Sequence, residues 1–401
     1  MYRPAPRGGW EEREGSAKSL DLNPVSVSDY REFARRRLPT QLFDYMDGGS
    51  YAEKTLADNV DAFARLKLRQ RVLRDVGTID TRAEIFGETW TIPAGLAPVG
   101  FAGMFAQRGE VQAAKAAEKF GVPFTLSTVG ICSIEEVAKA TRKPFWFQLY
   151  VIKDRGYARE LMQRAHHAGC PALVFTVDLA VLGARYRDIR NGMNTQMSLG
   201  KRLKVAADFA RRIHWLRHVA LGGRPLDFGN LREAVPDAKG FGEFGMWVAK
   251  NLDPGMTWND LEWVRENWPG KIIIKGVMDR EDAAMAMKTM APDGIVVSNH
   301  GGRQLDSTPA TIDALPAIRE EVGDRTTLFL DGGVRSGLDV TKALARGADA
   351  CLLGRAWAYA LAARGEAGVS AMLGTMKQEM NVAMALTGFT KASEIDESAI
   401  A

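Results

Sequence analysis

The stretch IIIKGVMDREDAAMAMKTMAPDGIVVSN, residues 272–299, shows the pattern that decides the fold. It holds two short apolar runs, IIIKG and GIVVSN, on either side of an Ala-rich segment with helical periodicity. Continuous apolar runs are typical of strands buried on both faces, and the order strand, helix, strand is typical of parallel pairing. The stretch therefore predicts one βαβ unit of a parallel sheet that is covered by helices.

The same arrangement recurs along the chain, and helical segments separate most of the apolar runs. The other six runs are IPAGLAP (92–98), PFTLS (123–127), FWFQLY (145–150), LVFTVD (173–178), LFLDGG (328–333) and ACLLGR (350–355). Eight such units predict an α/β fold of the closed (β/α)8 TIM-barrel type, with an open doubly wound sheet as the alternative. We expect a single domain over residues 25–401, with a long insertion after the fourth strand at residues 179–257.

The composition narrows the class of protein. With 401 residues, 46% hydrophobic and 25% charged, the chain can bury a large core, and a net charge of +4 gives no reason to expect a nucleic-acid partner. Cys132, Cys170 and Cys351 are far apart, so they predict neither a metal site nor a disulfide framework and favour a reducing, cytoplasmic compartment. Residues 1–24 mix both charge signs with Pro and Gly, which predicts a disordered tail and not a signal peptide.

Polar side chains stand at the C-terminal end of seven predicted strands. A barrel brings all these ends to one face, where barrel enzymes carry out their chemistry. A single polar residue in this position is usually a turn or a cap, but seven strands that end this way predict an active site. The residues are Ser127, Gln148, Tyr150, Thr176, Asp178, Lys275, Ser298, His300, Asp331, Gly354 and Arg355.

His300 is the strongest candidate for a general base among the five histidines. His166 and His167 fall on a predicted surface helix, whereas His300 ends a strand and titrates near neutrality. Arg303, just beyond two glycines, offers a planar fork for a carboxylate. An isolated His-x-x-Arg would more often be a loop histidine beside a surface arginine. Here six other strands also end in polar residues at the same face, which favours a role in an active site.

A second cluster predicts a phosphate site after the seventh and eighth strands. Gly333 and Gly354 precede helix N-termini, and Arg335 and Arg355 lie next to them. Glycine-rich turns alone would be weak evidence. A phosphate anchor, a strand-end lysine and a base could together hold flavin mononucleotide (FMN), with Lys275 as a cation beside the flavin ring. Lys275 could equally form a Schiff base, and residue chemistry alone does not separate these two roles.

Several motifs, in order and at matching spacing, resemble the FMN-dependent 2-hydroxy-acid dehydrogenase and oxidase family. The resemblance extends from about Val25 to the C-terminus and is closest to membrane-associated bacterial members that act on L-lactate. The motifs are FDYMDGGSY (43–51), WFQLYV (146–151), FTVD (175–178), GARYRD (183–188), IIIKG (272–276), SNHGGRQLD (298–306) and FLDGGVRSG (329–337).

The resemblance implies roles for individual residues. His300 would be the catalytic base, Asp178 would steady its imidazolium, and Arg303 with Arg185 would hold the substrate carboxylate. Tyr45 and Tyr150 would add hydroxyl contacts, Tyr150 as part of the catalytic group. Contacts to the flavin ring would come from Pro98, Val99, Gly100, Ser127, Gln148, Thr176, Lys275 and Ser298. The phosphate end would lie on Asp331, Gly333, Arg335, Gly354 and Arg355, with Asp331 bonding the ribityl chain.

The resemblance also implies an activity: oxidation of an L-2-hydroxy acid, with L-lactate going to pyruvate as the first expectation, and electrons passing to a quinone or another respiratory acceptor. No metal is expected, and a homotetramer is implied. Gly100 favours a dehydrogenase over an oxidase that makes hydrogen peroxide. A mandelate or glycolate dehydrogenase, an FMN-dependent isomerase and a flavin-binding protein without catalysis also stay open, and the residues do not rank the acids.

The basic segment at residues 201–221, KRLKVAADFARRIHWLRHVAL, predicts a membrane contact within the insertion. Leu203, Phe209 and Leu216 follow helical spacing, so they can share one face while arginines occupy another. Such a helix, with Trp215 near its boundary, can lie in the interface of an anionic membrane. The alternatives are a helix packed on the barrel with a solvated basic face, or a disordered loop. The expected location is therefore cytoplasmic and peripheral on the inner face of the cell membrane.

Overall fold

The computed structural model describes residues 24–150, 152–193, 197–234, 247 and 250–401. The predicted tail at residues 1–24 lies outside these residues except for Pro24, and parts of the predicted insertion lie outside them too.

Eight parallel strands form the centre of the molecule, in the order β3, β10, β9, β8, β7, β6, β5, β4. A parallel bridge between Leu96 and Phe124 links the two end strands, and the Leu96 N–H donates to the Pro123 carbonyl over 2.9 Å. These contacts close the ring, so the barrel prediction is confirmed and the open sheet is wrong. The barrel strands are β3 (Ala94–Leu96), β4 (Thr125–Ser127), β5 (Trp146–Tyr150), β6 (Ala172–Thr176), β7 (Lys271–Val277), β8 (Gly294–Val297), β9 (Thr327–Asp331) and β10 (Ala350–Leu353).

A short antiparallel hairpin, β1 (Ala83–Ile85) and β2 (Glu88–Trp90), precedes the barrel and was not predicted. Its Trp90 is buried inside one end of the barrel, 5.6 Å from the Trp146 ring and 6.2 Å from the Phe329 ring. Trp146 begins β5, so this is the amino-terminal end of the strands. Aromatic packing therefore fills that end and leaves the carboxyl end for chemistry.

Helices surround the barrel and alternate with its strands as the sequence predicted. They are α1 (Val27–Arg37), α2 (Thr40–Asp47), α3 (Lys54–Arg65), α4 (Ala102–Phe105), α5 (Gly109–Phe120), α6 (Ile134–Ala140), α7 (Arg155–His167), α8 (Tyr186–Arg190), α9 (Leu199–Arg211), α10 (Ile213–Trp215, continued by a π-helical turn over Leu216–Leu221), α11 (Asp260–Asn267), α12 (Arg280–Thr289), α13 (Thr311–Val322), α14 (Gly337–Ala345) and α15 (Arg355–Thr387), followed by 3₁₀ turns at Ala392–Glu394 and Glu397–Ala399.

The longest helix, α15, is broken near its middle. Arg364 and Gly365 leave the helical region, and Gly365 takes a positive φ of 60° that favours glycine. Both α1 and α5 pack against α15. The buried alanines of α5, among them Ala113 and Ala117, have small side chains that allow α5 to pack closely against α15.

The connection between β6 and β7 contains the predicted insertion after the fourth barrel strand. The predicted continuous helix over residues 201–221 is wrong, because the chain leaves the helical region at Arg212 (φ −91°, ψ 61°) and α9 and α10 are separate. Trp215 does not lie at a membrane boundary either. It is buried, and its indole N–H donates to the Met104 carbonyl over 2.8 Å.

Within the ranges given above, no helix is long and apolar enough to cross a bilayer.

Candidate active site

A cavity of about 860 Å³ opens at the carboxyl ends of the barrel strands, and most of the predicted site residues line it. Four predicted residues, Ser127, Gln148, Asp178 and Ser298, do not line it, and three of them, Ser127, Gln148 and Ser298, are buried. The predicted residues on the cavity wall are Tyr45, Pro98, Val99, Gly100, Tyr150, Thr176, Arg185, Lys275, His300, Arg303, Asp331, Gly333, Arg335, Gly354 and Arg355.

His300, on this wall, forms a largely buried pair with Asp178. The two atoms His300 Nδ1 and Asp178 Oδ1 are 2.9 Å apart. Burial lowers the pKa of His300 although Asp178 opposes the change, so the imidazole is neutral at neutral pH. Burial would raise the pKa of Asp178, but the charge and hydrogen bond of His300 outweigh it and lower that pKa. The ionised Asp178 therefore holds the proton on Nδ1 and leaves Nε2 as the basic nitrogen.

The backbone around His300 is an unusual turn. His300, Gly301 and Gly302 all have positive φ values, of 57°, 63° and 72°. A Cβ on Gly301 would lie 2.7 Å from Arg355 Nη1, and one on Gly302 would lie 2.6 Å from the Leu56 nitrogen. Both glycines are thus required by conformation, and Gly302 is also required by the space beside the Leu56 backbone. They bring α3 and the start of α15 close to the base.

Two buried asparagines fasten this turn to α3, and neither was predicted from the sequence. Asn59 and Asn299 exchange two amide hydrogen bonds of 2.9 Å each. Asn299 Oδ1 also accepts from the Gly302 N–H over 3.1 Å, and Asn59 Oδ1 accepts from the Thr311 N–H over 3.2 Å. An asparagine directly before His300 was a visible signal, but its partner is distant in the sequence and shows no local pattern.

Arg185 and Arg303 lie together on the cavity wall. The Arg303 guanidinium donates to the carbonyls of Tyr45 (2.6 Å) and Gly48 (2.9 Å) and lies 4.8 Å from the centre of the Tyr45 ring. Burial, together with the charge of Arg303, lowers the pKa of Arg185 to about 10, which leaves it protonated at neutral pH. Neither arginine forms an ion pair within the described part of the chain. Their shared positive charge is suited to an anionic ligand.

Three more side chains shape the cavity near these arginines. The Tyr150 ring lies 6.4 Å from the His300 ring and is nearly parallel to it, and burial raises the pKa of Tyr150, which keeps its phenol protonated. The Tyr45 ring packs edge-on against Phe101 at 4.8 Å. Asp188, which was not predicted from the sequence, also lines the cavity, and burial raises its pKa although Arg303 and Arg185 oppose this.

Lys275 belongs to a buried polar chain. Its ammonium group lies 2.7 Å from Asp331 Oδ2 and donates to Ser298 Oγ over 2.9 Å, while Ser298 Oγ donates to Asp331 Oδ2 over 3.0 Å. Burial would lower the pKa of Lys275, but the Asp331 and Asp178 carboxylates outweigh it and raise that pKa. A protonated lysine is a fixed cation and a poor nucleophile, so the geometry disfavours the Schiff-base alternative.

Two polar atoms at the strand ends are buried without a hydrogen-bond partner in the structure: Gln148 Nε2 and Thr176 Oγ1. Gln148 Oε1, in contrast, accepts from Ser127 Oγ over 2.9 Å. Buried donors without partners are costly. Thr176 lines the cavity together with Pro98, Val99 and Gly100, and Gln148 precedes by two residues Tyr150, which also lines it. The pattern fits a planar ligand that carries its own hydrogen-bonding edge, such as a flavin ring.

The predicted phosphate end is divided between two helix N-termini that differ in capping. The Ser336 hydroxyl caps α14 by accepting from the Asp339 N–H over 3.2 Å, whereas Gly354 offers α15 no side-chain cap. Gly354 and Arg355 at the start of α15 line the cavity, and the N–H groups of a helix N-terminus suit a phosphate. A Cβ on Gly333 would overlap the Asn59 carbonyl, which explains the glycine there.

The two predicted phosphate arginines have other partners as well. Arg355 donates to the carbonyls of Gly301 (2.8 Å), Gly48 (2.8 Å) and Met46 (3.2 Å), and burial lowers its pKa to about 10. It therefore joins α2 to the turn at His300. Arg335 Nη1 donates to the neighbouring Val334 carbonyl over 2.9 Å.

Comparison with known proteins agrees with this geometry. The family model described as FMN-dependent dehydrogenase matches residues 34–401. The chain belongs to the FMN-dependent dehydrogenase family. The resemblance inferred from the sequence motifs is confirmed. FMN is accordingly the cofactor of this enzyme, and the unpartnered Gln148 and Thr176 atoms and the uncapped N-terminus of α15 are chemically suited to it.

Individual relatives give the same result. An L-lactate dehydrogenase of Caulobacter vibrioides (strain NA1000 / CB15N) is 53% identical over 376 residues, which cover 94% of this chain and 97% of the relative. The solved structure of a monotopic membrane protein, (S)-mandelate dehydrogenase, has a TM-score of 0.88 at 33% identity and covers 95% of this chain and 100% of its own. A mandelate oxidase has a TM-score of 0.80 at 35% identity, with 94% and 98% covered.

Proposed function

We propose that this FMN-dependent dehydrogenase oxidises an L-2-hydroxy acid to the 2-keto acid, with L-lactate as the substrate and pyruvate as the product. The observation that carries the proposal is the meeting of His300 with Arg185 and Arg303 on one wall of the same cavity. A neutral base and two guanidinium groups that form no ion pair within the described residues match the hydroxyl and carboxylate of such an acid. Relatives named L-lactate dehydrogenase support lactate in particular.

In the proposed mechanism, Arg185 and Arg303 bind the substrate carboxylate and thereby fix the adjacent carbon. His300 Nε2 accepts a proton from the substrate, and the ionised Asp178 stabilises the imidazolium that results. Tyr150 stays protonated, and its phenol donates a hydrogen bond to the substrate. FMN, when bound, would accept the two electrons together with the second hydrogen that the substrate loses. The proposal does not depend on the order in which the proton and the electrons leave the substrate.

The proposed FMN contacts divide into a ring end and a phosphate end. At the ring end, Gln148 Nε2 and Thr176 Oγ1 would find their missing partners, and the Lys275 ammonium would supply a fixed positive charge that favours a reduced, anionic ring. At the phosphate end, the N–H groups of α15 and the Arg335 side chain would bind the anion. Asp331 would bond the ribityl chain.

Membrane contact is part of the proposal. The insertion exposes large apolar side chains: Leu199 (73%), Leu203 (64%), Ile213 (59%) and Leu221 (65%). None of the residues of α9 is buried, so its apolar side chains are not packed into the core. The same helix carries four Lys or Arg side chains, Lys201, Arg202, Lys204 and Arg211. Apolar and cationic groups together favour a peripheral position on an anionic membrane, on the inner face of the cell membrane. A quinone there would receive the electrons.

Two further features complete the proposal. Residues 25–401 form one FMN-binding domain that carries residues 179–257 as an insertion, and the enzyme is a homotetramer. Light scattering of the purified holoenzyme tests the assembly, and a mass of one or two chains would contradict it. Limited proteolysis tests the domain, because cleavage should occur before residue 25 or within the insertion and not inside the barrel.

The substrate is tested by anaerobic mixing of the FMN-loaded enzyme with single acids. L-Lactate should bleach the flavin absorbance in a single turnover, whereas D-lactate should not. Glycolate and (S)-mandelate should be slower than L-lactate. A His300→Ala variant should retain FMN and lose several orders of magnitude in the bleaching rate, while His166→Ala on the exposed face of α7 should behave as wild type. Bleaching by His300→Ala at the wild-type rate would overturn the assigned base.

The electron acceptor is tested under air with L-lactate. A dehydrogenase should reduce a soluble quinone analogue quickly and consume little oxygen. Rapid oxygen consumption with one hydrogen peroxide formed per lactate would show that the enzyme is an oxidase, and it would leave the substrate assignment intact.

A further inference from the structure

A second cavity, of about 720 Å³, lies next to the active-site cavity and shares the side chains of Phe105 and Trp215 with it. Its walls come from α1, from the break in α15, and from α10 with its π-helical turn. We call it the α1 cavity. Residues of the barrel surface and residues of the insertion therefore build it together, and the proposed chemistry uses neither set.

The α1 cavity is lined by positive and imidazole groups. Arg36, Arg37 and Arg364 contribute three guanidinium groups, and His214 and His218 contribute two rings whose centres are 4.4 Å apart. Among its described lining residues there is no Asp or Glu. A carboxylate does occur nearby, because Glu32 of α1 pairs with Arg35 and with Arg36, but it does not line the cavity.

These groups crowd one another electrostatically. Arg37 Nη2 lies 2.9 Å from His214 Nε2, so the arginine donates and the imidazole accepts. Burial, followed by the charges of Arg37 and His218, lowers the pKa of His214. Burial and the charge of Arg364 lower the pKa of Arg37 as well. A bound anion would relieve this repulsion, whereas a cation would increase it.

Apart from Gln107 and Gln112, the rest of the lining is apolar or glycine, and it lies beside the proposed membrane contact. Phe33, Leu38 and Leu361 contribute aliphatic and aromatic surface to the cavity. Ile213 and Leu221, at the two ends of the segment that carries His214 and His218, expose more than half of their surface. A ligand for this place therefore has an anionic head next to an apolar body. We propose that the α1 cavity binds the phosphate headgroup of an anionic phospholipid.

The inference rests on the proposed membrane contact and adds a specific pocket to it. Trp215 connects the α1 cavity with the active site, because it lines both cavities and its indole N–H donates to the Met104 carbonyl. A headgroup held by His218 and Arg37 would fix the segment that carries Trp215. A headgroup bound in the α1 cavity would thus also restrain Trp215, which forms part of the wall of the active-site cavity.

The test is flotation of the FMN-loaded, full-length enzyme with phosphatidylcholine vesicles that contain or lack phosphatidylglycerol. Two variants on the same turn each make the chain more negative by one charge: His218→Glu places a carboxylate in the cavity, and Arg217→Gln is the matched control outside it. Loss of a general surface charge costs about fivefold in binding to anionic vesicles. His218→Glu should cost at least about 20-fold, as the loss of a charge-assisted hydrogen bond does, and Arg37→Gln should act in the same direction.

FMN content and turnover with a soluble dye acceptor check that each variant is folded. If His218→Glu and Arg217→Gln lose the same amount of binding to anionic vesicles, the effect is one of general surface charge and the headgroup site in the α1 cavity is wrong. Equal binding of wild type to both vesicle types would overturn the pocket and leave the membrane contact standing, whereas no vesicle binding at all would overturn both. Soluble glycerol phosphate is the last arm: binding of it without a preference for anionic vesicles would identify a free-phosphate site and contradict the lipid. None of these outcomes affects the flavin bleaching test of the substrate.

Discussion

Asp178 directs its Oδ1 atom at His300 Nδ1 over 2.9 Å, while its Oδ2 atom is buried and has no hydrogen-bond partner among the described residues. The carboxylate therefore acts chiefly on the imidazole. In Asp178→Asn, the amide can donate to Nδ1 and move the ring proton to Nε2, which removes the basic nitrogen from the cavity. We expect the rate of flavin reduction to fall about 10³- to 10⁴-fold with little loss of FMN. Stopped-flow absorbance measures both quantities.

The pH profile of the same pair gives a second prediction. Activity requires neutral His300, so kcat/KM should rise with pH through the pKa of His300. Burial lowers that pKa, which puts the acid limb below the ordinary value of about 6.5. Asp178 opposes the lowering, so Asp178→Asn should move the limb to still lower pH. A limb that moved upward in the variant would contradict the assigned electrostatics.

Substrate binding should depend on the shape of the arginines and not only on their charge. Arg185→Lys keeps a cation but loses the planar fork that can hold a carboxylate through two hydrogen bonds. We expect kcat/KM for L-lactate to drop about 100-fold, equivalent to about 2 to 3 kcal/mol. Arg190→Lys, the exposed last residue of α8, the helix that Arg185 directly precedes, is the matched control and should leave steady-state kinetics unchanged. Similar kinetics for the two variants would remove Arg185 from the substrate site.

The unpartnered amide of Gln148 predicts a specific loss of FMN affinity. Gln148→Glu preserves the oxygen that accepts from Ser127 but replaces the Nε2 donor with an acceptor. A buried acceptor on the cofactor would then face another acceptor, which costs about 1 to 3 kcal/mol, or roughly 10- to 100-fold in Kd. Titration of the stripped enzyme with FMN, followed by fluorescence quenching, measures the change. Gln112→Glu on α5 is a control of identical chemistry outside the active-site cavity.

Stability should depend on Asp47, which anchors α2. Its carboxylate accepts from Arg31 Nε (2.5 Å), Arg187 Nη1 (2.8 Å) and the Tyr359 hydroxyl (2.7 Å). Asp47→Asn should lower the free energy of unfolding at pH 7 by about 3 kcal/mol, because it leaves the two arginines and the buried Tyr359 hydroxyl partly unpaired around a buried position. The exposed Asp58→Asn on α3 should be close to neutral. Urea denaturation provides the comparison.

The pH dependence of that difference follows from the pKa of Asp47. Burial would raise this pKa, but the bonds from Arg31, Tyr359 and Arg187 outweigh it and lower it well below the ordinary range. The folded-state pKa is thus below the unfolded value of about 3.9. The stabilisation is fully present above the unfolded pKa and is lost as the pH falls toward the folded one. Wild type and Asp47→Asn should differ most above about pH 4.5 and converge below it.

The barrel could be predicted from the sequence because parallel strands are buried on both faces and read as continuous apolar runs. Ile272, Ile273 and Ile274 are all fully buried, as such a run requires. The hairpin of β1 and β2 could not be predicted, since each strand has three residues and its burial depends on Trp90 entering a barrel that other segments build. Short elements whose partners are distant in sequence leave no periodic signal.

The candidate site divides in the same way. His300, Asp178 and Lys275 end apolar runs, so the rule for strand ends placed them together: His300 and Lys275 line the cavity, and Asp178 contacts His300. Asn59 is invisible to that rule because it sits inside a helix and meets Asn299 only after folding. Trp215 was expected at the surface because the helical period was extended through Arg212, where the backbone in fact turns. Local patterns predict the ends of strands better than they predict where a helix stops.

The left-handed turn at His300, Gly301 and Gly302 has a consequence for engineering. The motif is not portable by itself, because its shape is maintained by Asn59 from one helix and by Arg355 from the start of another. Moving only the residues around His300 to a different barrel would transfer the amino-acid sequence of the turn without its backbone conformation. Grafting this base would require importing three separate segments together.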